Sequence, residues 1–213
     1  MGWTLSPALA DVAPASVSRI VSTKTENDEF VAGPSGYGYV YPSILPSSNR
    51  SSFSRRTVDA MSSIGMSTVN ILGQNNDAPV CDEISDFLIP SNIPGAIVYP
   101  FGDGYAAYEG MVWACMGKPL LSARWSLWGD SNDTKSDMVG VNAMIEKLLG
   151  IANQTDPTSS ESYSLIAVHA WSHTYSDVAQ VASALQDDGR FELVLPSEML
   201  SRVGDAILYS SYE

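Results

Sequence analysis

Residues 68–100 read TVNILGQNNDAPVCDEISDFLIPSNIPGAIVYP, and this stretch decides the fold. Thr68–Leu72 is a short apolar run closed by Gly73-Gln74-Asn75-Asn76-Asp77. Gly95–Tyr99 is a second such run, closed by Pro100-Phe101-Gly102-Asp103-Gly104. Runs of this length bounded by Gly, Pro and Asn are strand signals. Between them Cys81–Leu88 reads as a short helix. Strand, helix and strand in about 30 residues make a unit whose strands lie parallel, because the crossover returns the chain to the same end of the sheet.

The alternation continues outward on both sides. Upstream, residues 11–23 carry Val12, Val17, Ile20 and Val21 in a weak helical pattern, and Glu29–Gly33 is a short apolar run. Residues 52–65 put Phe53, Val58, Met61 and Ile64 on one helical stripe, with Gly65 as the stop. Downstream, Met111–Cys115 and Pro119–Arg124 read as strands around Gly117-Lys118. Asp137–Ile151 spaces Met138, Val141, Met144, Ile145, Leu148 and Leu149 at threes and fours, which predicts a helix. Ser164–Val168 is an apolar strand, expected to be buried on both faces. Ser176–Leu185 is a helix stopped by Gly189, Phe191–Leu195 a last strand, and Pro196 opens a last helix. The expected class is one α/β domain over residues 1–213, a parallel sheet with helices packed on it. Pattern by itself does not separate an open sheet from a closed barrel.

Composition bounds the partners. The 213 residues hold 11 basic and 24 acidic side chains, a net charge of −13. A nucleic-acid binder needs a basic face, and an anionic membrane surface attracts one, so neither is an expected partner. Charged residues make up only 16% of the chain against 45% apolar, and Ser, Thr, Gly, Asn, Tyr and Trp fill the difference. Such surfaces offer neutral hydrogen bonds and flat rings, which suit neutral polyhydroxy ligands. Cys81 and Cys115 show no metal-site spacing; they read as two buried thiols, with a single disulfide as the alternative. Sequons occur at Asn49, Asn132 and Asn153. The first residues lack the basic and apolar regions of a signal peptide, and Gly2-Trp3-Thr4-Leu5 reads as a start inside a larger domain.

In sheets of this class ligands sit beyond the carboxyl ends of the strands. The segments following the expected strands carry Tyr37 and Tyr39, then Asn75 and Asp77, then Asp103, then Arg124, Trp125 and Trp128, then His169, Trp171 and His173. Both histidines and three of the five tryptophans fall there. Asp77 and Asp103, after adjacent strands, are the candidate acid/base pair, since glycosidic chemistry uses two carboxyl groups. His169 and Arg124 are candidates to orient substrate. Tyr37, Tyr39, Trp125, Trp128 and Trp171 are candidates for a sugar platform, with Asn75 as a substrate-binding amide. His169 and His173 could share a divalent metal if their segment turns helically, and lie about 13 Å apart if it is extended. Gly36 and Gly38 are both expected to serve positive φ or close backbone approach.

The heptad Gly36-Tyr37-Gly38-Tyr39-Val40-Tyr41-Pro42 spells GxGYxYP. Together with Gly2-Trp3-Thr4-Leu5-Ser6-Pro7, Asn27-Asp28-Glu29-Phe30 and Val168-His169-Ala170-Trp171-Ser172, it makes the chain resemble the GxGYxYP putative glycoside hydrolase family, C-terminal domain. The resemblance implies an irregular or incomplete β/α barrel of the glycoside hydrolase and deacetylase type, a carbohydrate ligand, and an extracellular or secretory setting for full-length members. It also implies an upstream Asp-Gly-Asp-Asn stretch and an N-terminal domain that this sequence does not contain, so the chain is expected to be the C-terminal portion of a larger architecture. His169-x-x-x-His173 is similar to the metal motif of polysaccharide deacetylases, though without its companion Asp-Asp motif. The expected function is thus glycoside hydrolase-like, the alternatives being a metal-dependent deacetylase and a non-catalytic glycan-binding or inactive truncated domain.

Overall fold

The computed structural model describes residues 1–73, 78–100 and 105–209. The 68–100 unit forms as its sequence predicts. β3 (Thr68–Gly73) and β4 (Ala96–Pro100) pair in parallel with Val69 opposite Ala96 and Gly73 opposite Pro100, and α4 (Cys81–Leu88) crosses between them. Around them β1 (Gly2–Leu5), β2 (Glu29–Ala32), β5 (Val112–Cys115) and β6 (Lys118–Ser122) complete a sheet in the order β1-β2-β3-β4-β6-β5. Every pairing in it is parallel except the β5–β6 hairpin. That hairpin turns through Met116 and Gly117, both at positive φ. A two-residue turn of that kind matches the right-handed twist of the flanking strands.

Alternate residues of these strands make the main core. Phe30, Val69, Ile71, Ala96, Val98 and Leu120 pack against Met61 of α3 (Ser47–Ser63) and Ile84, Phe87 and Leu88 of α4. Each fully buried Val, Leu, Ile, Phe or Met side chain among them stabilises by about 1.5–3 kcal/mol before the cost of ordering it. Cys81 and Cys115 are joined in a disulfide with Cα atoms 5.2 Å apart, which corrects the expectation of two free thiols. The hairpin carries Cys115 onto the first residue of α4, a proximity that a separation of 34 residues does not reveal.

β6 hands the chain on to a second sheet with only Ala123 and Arg124 between. There β7 (Trp125–Leu127) lies between β8 (Met138–Val139) and β9 (Ile166–Val168), all parallel. α5 (Val141–Gly150) and α6 (Tyr175–Asp188) cover it through Leu127, Val139, Met144, Leu148, Val181 and Leu185. α1 (Leu9–Val12) and α2 (Pro14–Ser22) follow β1, and α7 (Pro196–Val203) closes the chain's last helical pair with the π-helical turn 204–209. Among the described residues the pairing leaves β1 and β5 as edges of the larger sheet and β8 and β9 as edges of the smaller, so two open, mostly parallel sheets are seen rather than a closed ring.

Several local expectations change. Gly2–Leu5 is an edge strand that the sequence pattern did not announce. Met138 belongs to β8, not to the following helix, because Gly140 is extended (ψ 178°) and starts α5 only after the strand has paired with β7. β9 is an edge strand with Val168 37% exposed, so it is not buried on both faces. Residues 191–195 form no strand pairing among the described residues and run as an irregular connection to α7, with Glu192 paired to Arg202. α3 starts earlier than its apolar stripe, and its fully buried positions are Ser54, Thr57, Ala60 and Met61. Small residues there let the preceding loop lie close against the helix. No helix among the described residues is long and apolar enough to cross a membrane.

Candidate functional site

The loop after β2 is built from the heptad. Ser35, buried at φ 56°, replaces a strand residue: its N–H donates to the Asn70 carbonyl at 2.8 Å and its Oγ accepts from Leu72 N–H at 2.9 Å. The loop thereby stays hydrogen-bonded to β3 after the β2 ladder ends. Gly36 follows at φ +85°, where a Cβ would stand 2.1 Å from Thr57 Cγ2. Gly38 is different. Its φ is ordinary and a Cβ there would meet only Phe53 Cε2, at 3.8 Å, so the expected constraint falls on Gly36 and not on Gly38.

The two tyrosines of the platform candidate part company, because the heptad bends instead of running extended. Tyr37 donates from its hydroxyl to Asp11 Oδ2 at 2.5 Å and accepts from Arg56 at 2.6 Å, while the Arg56 guanidinium lies 4.2 Å from its ring centroid. It ties α1 to α3. Tyr39 is 59% exposed, and its hydroxyl helps raise the pKa of Tyr41 and Tyr105, in each case after burial as the main cause.

Beyond Tyr105 the rim becomes a continuous run of rings. Tyr105 stacks on Tyr99 at 5.3 Å between centroids and meets Trp128 at 5.7 Å. Trp128 lies on His169 at 3.7 Å with planes 5° apart, and His169 meets Trp171 at 5.2 Å. The string spans the carboxyl ends of β4, β7 and β9 and so joins the two sheets. Burial pushes the Tyr99 hydroxyl far above its ordinary pKa, so at neutral pH it is a donor. Internal faces of a stack are covered by their neighbours. The rings with open faces are the outer ones, above all Trp171, which is 90% exposed. Tyr105 also sits at φ +67°, a sparsely populated conformation for a bulky residue, held where its ring bridges Tyr99 and Trp128.

The turn 169–173 is helical: His173 N–H donates to the His169 carbonyl at 3.1 Å. His173 is nonetheless committed elsewhere. Its Nε2–H donates to the Gly129 carbonyl at 2.9 Å, and its Nδ1 lies 3.6 Å from Asp177. Gly129 N–H donates to Ser172 Oγ at 3.2 Å. Residues 172 and 173 together clamp the Gly129 peptide and so fix Trp128 over His169. Among the described residues no three His, Cys, Asp or Glu side chains gather as a metal site. With its Nε2 spent on a carbonyl, His173 does not fit a shared ion with His169.

Arg124 and Trp125 fall at the amino end of β7, away from the rim that carries Trp128. Arg124 is half-buried and donates to the carbonyls of Ser160 (2.8 Å) and Tyr163 (3.3 Å). Trp125 packs with Lys147, whose Nζ is 4.9 Å from its ring centroid. The structure therefore does not bring these two together with His169. Asn75, Asp77 and Asp103 lie outside the described residues. Tyr99, near the end of β4, and Tyr105, beyond it, join the rim although sequence reasoning left both without a role.

An open cleft of 340 Å³ lies beside the edge strand β1 and the end of α2, lined by Trp3, Thr4, Lys24, Asp28 and Phe30 among others. Asp28 accepts from Trp3 Nε1–H at 2.7 Å and from Thr25, and these hydrogen bonds lower its pKa from 3.8 to about 2. It reads as the tie of the β1 edge to β2.

The fold is a mixed α/β one of mostly parallel strands, with a string of aromatic rings at the carboxyl ends of β4, β7 and β9. The chain belongs to the family described as GxGYxYP putative glycoside hydrolase C-terminal domain, whose profile matches residues 1–203. A solved structure, that of a putative hydrolase from Bacteroides thetaiotaomicron, superposes with a TM-score of 0.76 at 24% identity over 97% of this chain. At that identity the likeness concerns the fold. The chain spans 39% of the length of that structure. No curated protein matches the chain.

Proposed function

We propose that this chain is a carbohydrate-active domain, glycoside hydrolase-like, with a sugar site at the carboxyl ends of its strands. The observation that carries the reading is the aromatic string from Tyr99 to Trp171, anchored within the fold at one end and open to solvent at the other. Rigid rings bind the C–H faces of sugars at little entropic cost. In this reading Trp171 and Tyr39 are the platform, His169 is a hydrogen-bonding partner for sugar hydroxyls, and Trp128 holds His169 in place. Asp77 and Asp103, which follow β3 and β4 in the chain, are the acid/base pair, with Asn75 beside them in sequence as a substrate amide. The irregular barrel of the family is the frame in which these segments would surround one mouth.

The test is titration with neutral hexasaccharides of glucose, xylose and mannose, followed by tryptophan fluorescence and by release of reducing ends. Binding that falls about tenfold in Trp171→Ala, a loss of ~1.4 kcal/mol, supports the reading. Binding without release of reducing ends favours a glycan-binding module over a hydrolase. Absence of binding to all of them overturns the sugar site.

A further inference from the structure

We infer that Ser172 is a positioning residue that holds His169 as the neutral Nε2–H tautomer, making its ring a fixed donor at the rim. His169 Nδ1 lies 2.8 Å from Ser172 Oγ. That oxygen already accepts the Gly129 N–H at 3.2 Å, so its own hydroxyl hydrogen is free to be given away. Two acceptors are in reach: His169 Nδ1 at 2.8 Å and the His169 carbonyl at 3.4 Å. The shorter and stronger bond is to the ring nitrogen. An Nδ1 that accepts carries no proton, and the neutral imidazole must then hold its hydrogen on Nε2. Among the described residues that Nε2 meets no partner, while the ring plane is locked by Trp128 at 5° and flanked by Trp171.

The competing arrangement has Nδ1–H donating to Ser172 Oγ. The serine oxygen would then accept twice and give its own hydrogen to the carbonyl across the long 3.4 Å contact. His173 stands as the contrast on the same turn. Its Nε2–H is consumed by the Gly129 carbonyl, so one imidazole of the pair fastens the loop and the other is left presenting a donor. What such a donor takes is an acceptor oxygen. That it would be a hydroxyl oxygen of a sugar lying against Trp171 rests on the proposed function, whereas the tautomer does not.

Long-range ¹H–¹⁵N correlation of the imidazoles in the intact chain tests the inference, at a pH about two units above the usual histidine value of about 6.5. The expected result is His169 with Nδ1 unprotonated and Nε2 protonated. Ser172→Ala should lower the ratio of the two tautomers about tenfold, the factor carried by one hydrogen bond of ~1.4 kcal/mol. Ser172→Thr should restore it, and His173 should keep its proton on Nε2 in the wild type and in both variants. A wild-type His169 protonated at Nδ1 overturns the inference without any variant. So does an unchanged tautomer ratio in a folded Ser172→Ala protein. Failure of every hexasaccharide to bind would overturn the sugar reading and leave the tautomer result intact.

Discussion

The imidazole of His169 lies flat on the indole of Trp128, their centroids 3.7 Å apart and their planes 5° from parallel. The contact joins the end of β7 to the end of β9, and two hydrogen bonds to the Gly129 peptide hold it in register. Aromatic pairs of this kind contribute about 0.5–1.5 kcal/mol beyond their buried area. His169→Ala should therefore lower stability by about 1 kcal/mol and weaken hexasaccharide binding by a larger factor. Denaturant melts and fluorescence titrations on the same variant check the ranking; a loss confined to stability would make His169 a packing residue.

Gly36 and Gly38 should behave unlike each other. Gly36→Ala must place a methyl group 2.1 Å from Thr57 Cγ2 at φ +85°, which combines a left-handed penalty with overpacking and should cost roughly 2–4 kcal/mol. Gly38→Ala should cost less than about 1 kcal/mol. Urea midpoints at constant slope measure both, and equal losses would show that the heptad is not held where Gly36 meets α3.

Arg124 serves the fold. Arg124→Ala removes donors from the Ser160 and Tyr163 carbonyls and should cost roughly 1–3 kcal/mol, with hexasaccharide affinity unchanged. A variant with normal stability and lost binding would return Arg124 to the site.

Reducing the Cys81–Cys115 bond should destabilise the chain by about 3–4 kcal/mol, the chain-entropy expectation for a loop of this length. At about 2–4 °C per kcal/mol for a chain of this size, Tm should fall by roughly 6–16 °C when a reductant is added in calorimetry.

Asp28 should write its signature on the acid limb. Its folded pKa of about 2 lies below the ordinary 3.8, so the ionised form is the stabilised one. Its contribution is complete above the unfolded value and is lost as pH falls from about 4 through about 2. Thermal melts over that window should slope downward, and less steeply in Asp28→Asn. An identical slope in the variant would place the acid transition elsewhere.

Much of the architecture was legible because local rules agreed with the fold. Thr68–Leu72 and Gly95–Tyr99 are apolar because both faces of β3 and β4 are covered, and Cys81–Leu88 had to cross between them. Gly189 stops α6 at φ +78°, as a glycine at a helix end should. The pattern misled where partners made the decision. Met138 fits the helical period of α5 yet pairs with β7, and Phe191–Leu195 looks like a strand but has no strand beside it among the described residues. Ring spacing at the rim was invisible for the same reason. Nothing in the sequence said that Trp128 and His169 would stack while Trp125, three residues earlier, would leave for the opposite end of β7.

By itself the sequence determined the alternation of strand and helix, the polar and aromatic character of the carboxyl-end segments, and the family heptad, because these are properties of neighbours along the chain. The tertiary structure decided which of those groups meet. Gly36 and not Gly38 is pressed against Thr57, Tyr37 is spent on Asp11 and Arg56, His173 is spent on Gly129, and Cys115 reaches Cys81. Each of those outcomes depends on how two distant segments pack, and packing is set by the shape of the whole core rather than by any spacing within one segment.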